Sequence, residues 1–132
     1  MNDSQYKDMI SMLIQATRSR NLTWDWEEKT SEYSCVLDGC SIHIISSVNF
    51  QMQSESITLS LFNKDSVPFD SIVGDSVFDT ERYNQLNVLY QEIRNSFFKI
   101  KESEEIIMNK LRELTGEKNP LQPLSSDTDR TS

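Results

Sequence analysis

His43 is the only histidine in the chain, and Ser34, Glu32 and Asp25 are the side chains that could combine with it. Nucleophilic catalysis needs a hydroxyl or thiol, a base within hydrogen-bond reach and a group that orients the base. His43 falls between Ile42 and Ile44 in an alternating run. It therefore points away from the face those two share. Ser34 is its expected cross-strand neighbour, with Glu32 or Asp25 a strand or two away. Ser/His pairs on an open sheet face are common, and the expected state is a solvated imidazole.

Cys35 and Cys40 flank Asp38-Gly39 on one face, but diagonally. Diagonal Cβ atoms lie farther apart than the roughly 3.8 Å of a disulfide. With no C-x-x-C and one histidine, no tetrahedral metal site can be assembled. Two buried free thiols in a reducing cytoplasm are expected. Trp24, Trp26 and Tyr33 could form a stacking platform for a ligand or base, but their parity assigns them to the core. Asp25, Glu27, Glu28 and Glu32 gather at one hairpin end. They lack the Asp-rich loop and turn glycine of a calcium site and read as a solvated acidic rim. Glycine occurs only at 39, 74 and 116, never in a phosphate-cradling spacing. H-E-x-x-H, G-x-S-x-G and kinase signatures are absent. The sequence nominates no catalytic residue, metal or cofactor. Asn21-Leu22-Thr23 forms a glycosylation sequon that matters only in an exported chain.

Composition narrows the classes further. The 132 residues carry 21 acidic and 13 basic side chains, for a formal charge of −8, with 36% apolar residues. The isoelectric point is near 4.6 and the mean hydropathy −0.54. An acidic surface disfavours nucleic acid, which demands a basic stripe. A membrane span needs about 20 consecutive apolar residues, and the longest run here is a few. No charged and then apolar leader opens the chain, so a cytoplasmic location is expected.

The elements follow from periodicity. Tyr6, Met9, Ile10, Leu13, Ile14 and Thr17 share one face of a helix capped by Asp3 or Ser4. From Leu22 the period changes to two: Leu22, Trp24 and Trp26, then Tyr33, Cys35 and Leu37, then Cys40, Ile42 and Ile44. With Asp38-Gly39 as a two-residue turn, Leu37 faces Cys40, Cys35 faces Ile42, Tyr33 faces Ile44 and Ser34 faces His43. A slip of one residue would destroy that match. Val48, Phe50 and Met52 extend the inward parity of the third strand. A turn near Gln53 to Ser56 leads to Ile57, Leu59 and Leu61. Asn63-Lys64-Asp65 is expected to pair Leu61 with Val67 and Leu59 with Phe69, leaving Pro68 outward on an edge. Gly74-Asp75 closes a five-stranded antiparallel meander.

Asp79 caps the last helix, with Phe78 and Tyr83 as its hydrophobic staple. Tyr83, Leu86, Tyr90, Ile93, Phe97, Ile100, Glu104, Ile107, Leu111 and Leu114 then alternate by three and four, and only Glu104 is polar. Thirty-six residues would extend about 54 Å, whereas five strands span about 24 Å. The apolar end, with Ile106, Ile107, Met108, Leu111 and Leu114, therefore needs a cover. Either the helix breaks near Ser103 and folds back, or its end packs on a second copy. Residues 115–132 lack apolar periodicity and read as a disordered tail.

Three surfaces emerge as candidates. The first is the helix end, with Ile100, Ile107, Met108, Leu111 and Leu114. The second is the outer sheet face, where Val36, Ile45 and Phe62 stand among hydroxyls and amides; low charge suits an interface centre. The third is a pocket between helices and sheet lined by Trp24, Trp26 and Tyr90.

Leu13–Thr17, Leu22–Trp24, Y-x-C-x-L-D-G-x-x-I-x-I from Tyr33 to Ile44 and Y-x-x-L-x-x-L-Y-x-x-I-R from Tyr83 to Arg94 together resemble small bacterial helix, meander, helix domains of unknown function. The resemblance covers about residues 9 to 100 and implies no activity. Small acidic secretion chaperones are similar in size and charge, but place a helix within the run of strands. The expectation is an α+β, two-layer domain over 1–114 with both helices on one sheet face. It would act as a non-enzymatic protein-interaction module, forming a homodimer through the helix end. The alternatives are a ligand-binding domain or enzyme with a pocket under the helices, and an immunity-type or secretion-chaperone-like protein whose acidic charge suits a basic toxin.

Overall fold

A computed structural model of the chain describes residues 1–116. The tail expected from residue 115 lies, from 117 onward, outside the described residues. The elements are α1 (Asp3–Arg18), β1 (Asp25–Glu27), β2 (Glu32–Leu37), β3 (Cys40–Asn49), β4 (Ser54–Phe62), β5 (Pro68–Asp75) and α2 (Thr80–Thr115). The strands form one antiparallel sheet in the order β1-β2-β3-β4-β5. Residues Met1–Phe97 make one compact unit, and a second begins at Phe98.

The alternation of the sequence becomes two sets of cross-strand rows. On the inner face Trp26, Tyr33, Ile44, Leu59 and Ile72 form a row across all five strands. Cys35, Ile42, Leu61 and Asp70 form the next. Tyr6, Ile10 and Leu13 of α1 and Leu86, Leu89 and Ile93 of α2 join these strands in one buried cluster. The architecture is thus α+β in two layers. The Asp38-Gly39 hairpin has the expected register in every pair, Leu37↔Cys40 through Tyr33↔Ile44. Asp38 and Gly39 both take positive φ, 50° and 87°, as the tight two-residue turn demands.

Several expectations are corrected. β3 ends at Asn49, and Asn49↔Ser54 closes the next hairpin. Asn49 Oδ1 accepts from the Gln51 and Met52 amides at 3.1 Å, which turns the chain there. Val48, Phe50 and Met52 are consequently exposed rather than inward. β5 is also displaced. Leu59 pairs with Ile72 and Leu61 with Asp70, with a bulge at Leu61/Phe62, so Val67 and Phe69 face solvent. The Asn63 carboxamide is the cause: it accepts from the Asp65 and Val67 amides at 2.9 and 3.1 Å. Ser66 takes φ 62°, lengthening the loop beyond three residues. Gly74 sits inside β5 opposite Ile57 rather than in a turn.

Helix starts also differ in detail. Asn2, not Asp3 or Ser4, caps α1, and Gln5 completes a capping box with it. Asp79 behaves as expected for α2, its Oδ1 accepting from the Arg82 amide at 3.4 Å. Ser103 lies within α2, which shows no break there. Gly116, at φ 76°, follows the last helical residue, the usual left-handed stop.

Only part of the first expected strand is a strand. Leu22 and Trp24 are buried but lie outside β1, and Trp26 is 40% exposed. Trp24 turns instead toward α1. Its indole N–H donates to Thr17 Oγ1 at 3.0 Å, and that hydroxyl donates to the Leu13 carbonyl at 2.7 Å. Thr17→Val keeps the volume but leaves a buried indole N–H unpaired. The expected cost is about 2 kcal/mol, read as a lower midpoint in urea unfolding followed by tryptophan fluorescence.

Polar groups also fasten the β5–α2 turn. Asp75 Oδ1 accepts from the Val77 and Phe78 amides at 2.8 and 2.9 Å. These bonds, the Phe78 amide foremost, hold its carboxyl below the ordinary value of 3.8. Stability from this turn is therefore complete above pH 3.8 and is lost as the pH falls through the lowered native value. The Tyr83 hydroxyl donates to Glu55 Oε1 at 2.7 Å, which with burial pushes the phenol up to about 12.

Candidate functional site

The outer sheet face carries an arrangement with the connectivity of a catalytic triad. His43 Nδ1 lies 2.8 Å from Glu32 Oε1, and Nε2 lies 3.4 Å from Ser41 Oγ. Ser34 is His43's cross-strand partner as expected, but the hydroxyl on Nε2 comes from two residues earlier on the same strand. The Ser-x-His spacing carried that signal, since residues i and i+2 of a strand share a face.

The surroundings decide what this trio can do. Ser41 stands between Val36 and Phe62 and His43 between Ser34 and Ser60, all within the ladder. Backbone amides engaged in strand pairing cannot also point at an oxyanion, and acyl transfer draws much of its acceleration from such donors. The His43 ring lies against Phe62 with centroids 4.4 Å apart. Glu32 thus orients an imidazole that covers an aromatic ring. Among the described residues, no group of three or more His, Cys, Asp or Glu side chains could hold a metal ion.

Both cysteines are free thiols, Cys35 buried and Cys40 half-buried. Burial pushes the Cys35 thiol up to about 12. A colorimetric thiol titration of the native protein near pH 8 should count one reactive group, Cys40, and two after denaturation. Two fast groups in the native state would place Cys35 in contact with solvent.

Of the three residues proposed to line a pocket, Trp24 bonds to α1 while Trp26 and Tyr90 both meet the Tyr33 ring. Trp24 is committed to Thr17. Trp26 packs on Tyr33 with ring centroids 4.7 Å apart, and Tyr90 meets the same ring edge-on at 5.7 Å. Phe97 completes this aromatic group at 5.6 Å from Tyr33. An open depression of about 450 Å³ occurs elsewhere, lined by Ser60, Pro68, Phe69, Asp70 and Ser71.

The outer face also gathers the residues nominated as an interface. Val36, Ser41, Phe62 and Pro68 form one cross-strand row, and Glu32, Ile45, Thr58 and Val73 another. Ser34, His43, Ser60 and Ser71 run between them. Val36 is exposed, whereas Ile45 and Phe62 are half-buried, Phe62 by the imidazole.

A run of uncovered apolar side chains lies on the second unit. Ile106, Ile107, Met108, Leu111 and Leu114 are 64, 58, 46, 49 and 69% exposed, and Ile100 is half-buried. The local charges are paired along the helix itself. Lys101 Nζ lies 3.9 Å from Glu104 and Lys110 Nζ 3.0 Å from Glu113. Flexible pairs of this kind contribute little to stability; Lys110 and Glu113 flank the apolar seam, while Glu104 occupies its N-terminal position.

These features define a two-layer α+β meander domain with one oriented histidine and a helix bearing an exposed apolar seam. Comparison with protein-family models, curated proteins and solved structures gave no match. No helix among the described residues is long and apolar enough to cross a membrane.

Proposed function

We propose that the protein is a non-enzymatic protein-interaction module that forms a homodimer through the end of α2. The observation that carries this reading is the set of exposed aliphatic side chains at one heptad seam, Ile107, Leu111 and Leu114, with Met108 beside them. Leaving a side chain of this size in water rather than burying it costs roughly 2 kcal/mol, and in a seam with a three-four repeat a second helix is the cover that fits. The unoccupied thiols suit a reducing, cytoplasmic setting. Light scattering of the full chain across a dilution series tests the proposal. A species of twice 15.3 kDa that dissociates on dilution is expected, and a 15.3 kDa species at every concentration would remove the reading.

A second reading is favoured by one corner of the sheet. Asp25, Glu27 and Glu32 share the outer face at the β1–β2 end, on a chain of charge −8. Such a corner suits neutralisation of a cationic protein such as a toxin. Binding to a basic partner that weakens steeply with added salt would support it; salt-independent binding would not.

A further inference from the structure

We propose that the two copies pack antiparallel over residues 104–114 of α2, with Ile107 of each copy opposite Leu111 of the other. This arrangement rests on the dimer reading above and adds its direction and register. Glu104 and Leu111 alternate with Ile107 and Leu114 along one seam, with Met108 on one flank and Ser103 and Lys110 on the other.

Glu104 decides the direction. In parallel, in-register pairing every seam residue meets its own counterpart, so the two Glu104 carboxylates would share one layer between helices whose axes lie about 8–10 Å apart. The residues brought beside that layer, Ser103 and Met108, add no cation to the Lys101 that each Glu104 already has on its own helix. Antiparallel pairing puts unlike seam positions together. Setting Ile107 opposite Leu111 also sets Glu104 opposite Leu114, at the end of the seam. The two carboxylates are then ten residues apart along the axis, about 15 Å, beyond a screening length of about 8 Å. Each keeps its own Lys101 at 3.9 Å.

The neighbouring antiparallel register, with Glu104 opposite Ile107, returns the two carboxylates to within about one helical turn, or 5.4 Å, along the axis. The favoured register also brings Met108 against Met108 across the dyad. The two Lys110 face each other with their own Glu113 at 3.0 Å, and the helix dipoles oppose. Burying four partly exposed side chains from each copy, with the rim around them, covers on the order of 1,000 Å² in total, at the small end of specific interfaces. The dimer should therefore be weak and in exchange.

Two variants that each add one accessible cysteine to a Cys40→Ser background, in which Cys35 is buried, separate the possibilities. At a concentration where light scattering shows the dimer, Met108→Cys should couple to itself through a short bis-maleimide, giving most of the protein as a covalent dimer. Glu104→Cys should not, because its two copies lie too far apart. Self-coupling at Glu104 with none at Met108 would overturn the proposed direction and register and leave the dimer standing. A dimer that couples at neither position would overturn this seam as its contact. A wild-type chain that scatters as a monomer throughout would overturn both the arrangement and the dimer reading.

Discussion

Gly74→Val should destabilise the domain by about 3 kcal/mol or more, lowering the thermal midpoint by roughly 12–24 °C. Gly74 lies on the inner face of β5 opposite Ile57, where the first turn of α2 passes directly over it. A Cβ there would stand 2.4 Å from the Tyr83 nitrogen and 2.5 Å from its Cα. These are backbone atoms and cannot swing aside like the end of a long side chain. The helix must lift from the sheet, loosening Leu86 and Leu89 and pulling Tyr83 from Glu55. Ala at this position should already show most of the loss, because its single methyl meets the same atoms. Ser71→Val, exposed on the outer face of the same strand, is the control and should change stability by about 0.5 kcal/mol or less. Differential scanning fluorimetry separates the two. A Gly74→Ala protein as stable as wild type would mean that α2 does not approach the sheet so closely.

The double substitution Ile107→Glu with Leu111→Glu should abolish the dimer while leaving the fold of Met1–Phe97 intact. Both side chains are about half exposed, so the monomer loses little when they become polar. In the paired seam each would bring a charge into an apolar layer and remove a side chain whose burial contributes on the order of 2 kcal/mol. Since 1.4 kcal/mol is tenfold in an equilibrium constant, dimerisation should weaken by more than 100-fold. Scattering should then give 15.3 kDa at concentrations where wild type gives twice that. Helical circular dichroism should be unchanged, because Glu is a good helix former. A variant that still dimerises would assign the contact to another surface, the outer sheet face being the next candidate.

Much of the layout was legible because its determinants are local. Asp38-Gly39 sets a turn, and the turn sets the register of β2 against β3. The inward row from Tyr33 through Ile44 to Leu59 needed only the period of two for its members, and the long run from Tyr83 to Leu114 needed only the three-four repeat. Elsewhere the pattern was present but the surroundings decided its meaning. Val48, Phe50 and Met52 keep the strand parity, yet β3 turns at Asn49 and nothing covers them. Trp24 and Trp26 are two residues apart with the same parity, but one hydrogen-bonds Thr17 in the core and the other lies on an edge strand. The triad-like contact is half legible: the cross-strand pattern brings Ser34 and Glu32 toward His43, whereas Ser41 reaches the imidazole from two residues earlier on the same strand.

Sequence alone therefore determined the kinds and order of the elements, the hairpin at Asp38-Gly39 and the apolar seam of α2, all of which depend on residues within a few turns of one another. Tertiary structure decided the register of β5, the burial of each aromatic ring and the role of Gly74. The last two depend on contacts between segments far apart in the chain, and the β5 register on a short turn whose hydrogen bonds have no period. A bulge set by one Asn63 carboxamide, or a helix laid on a bare glycine, leaves no periodic trace in the letters around it.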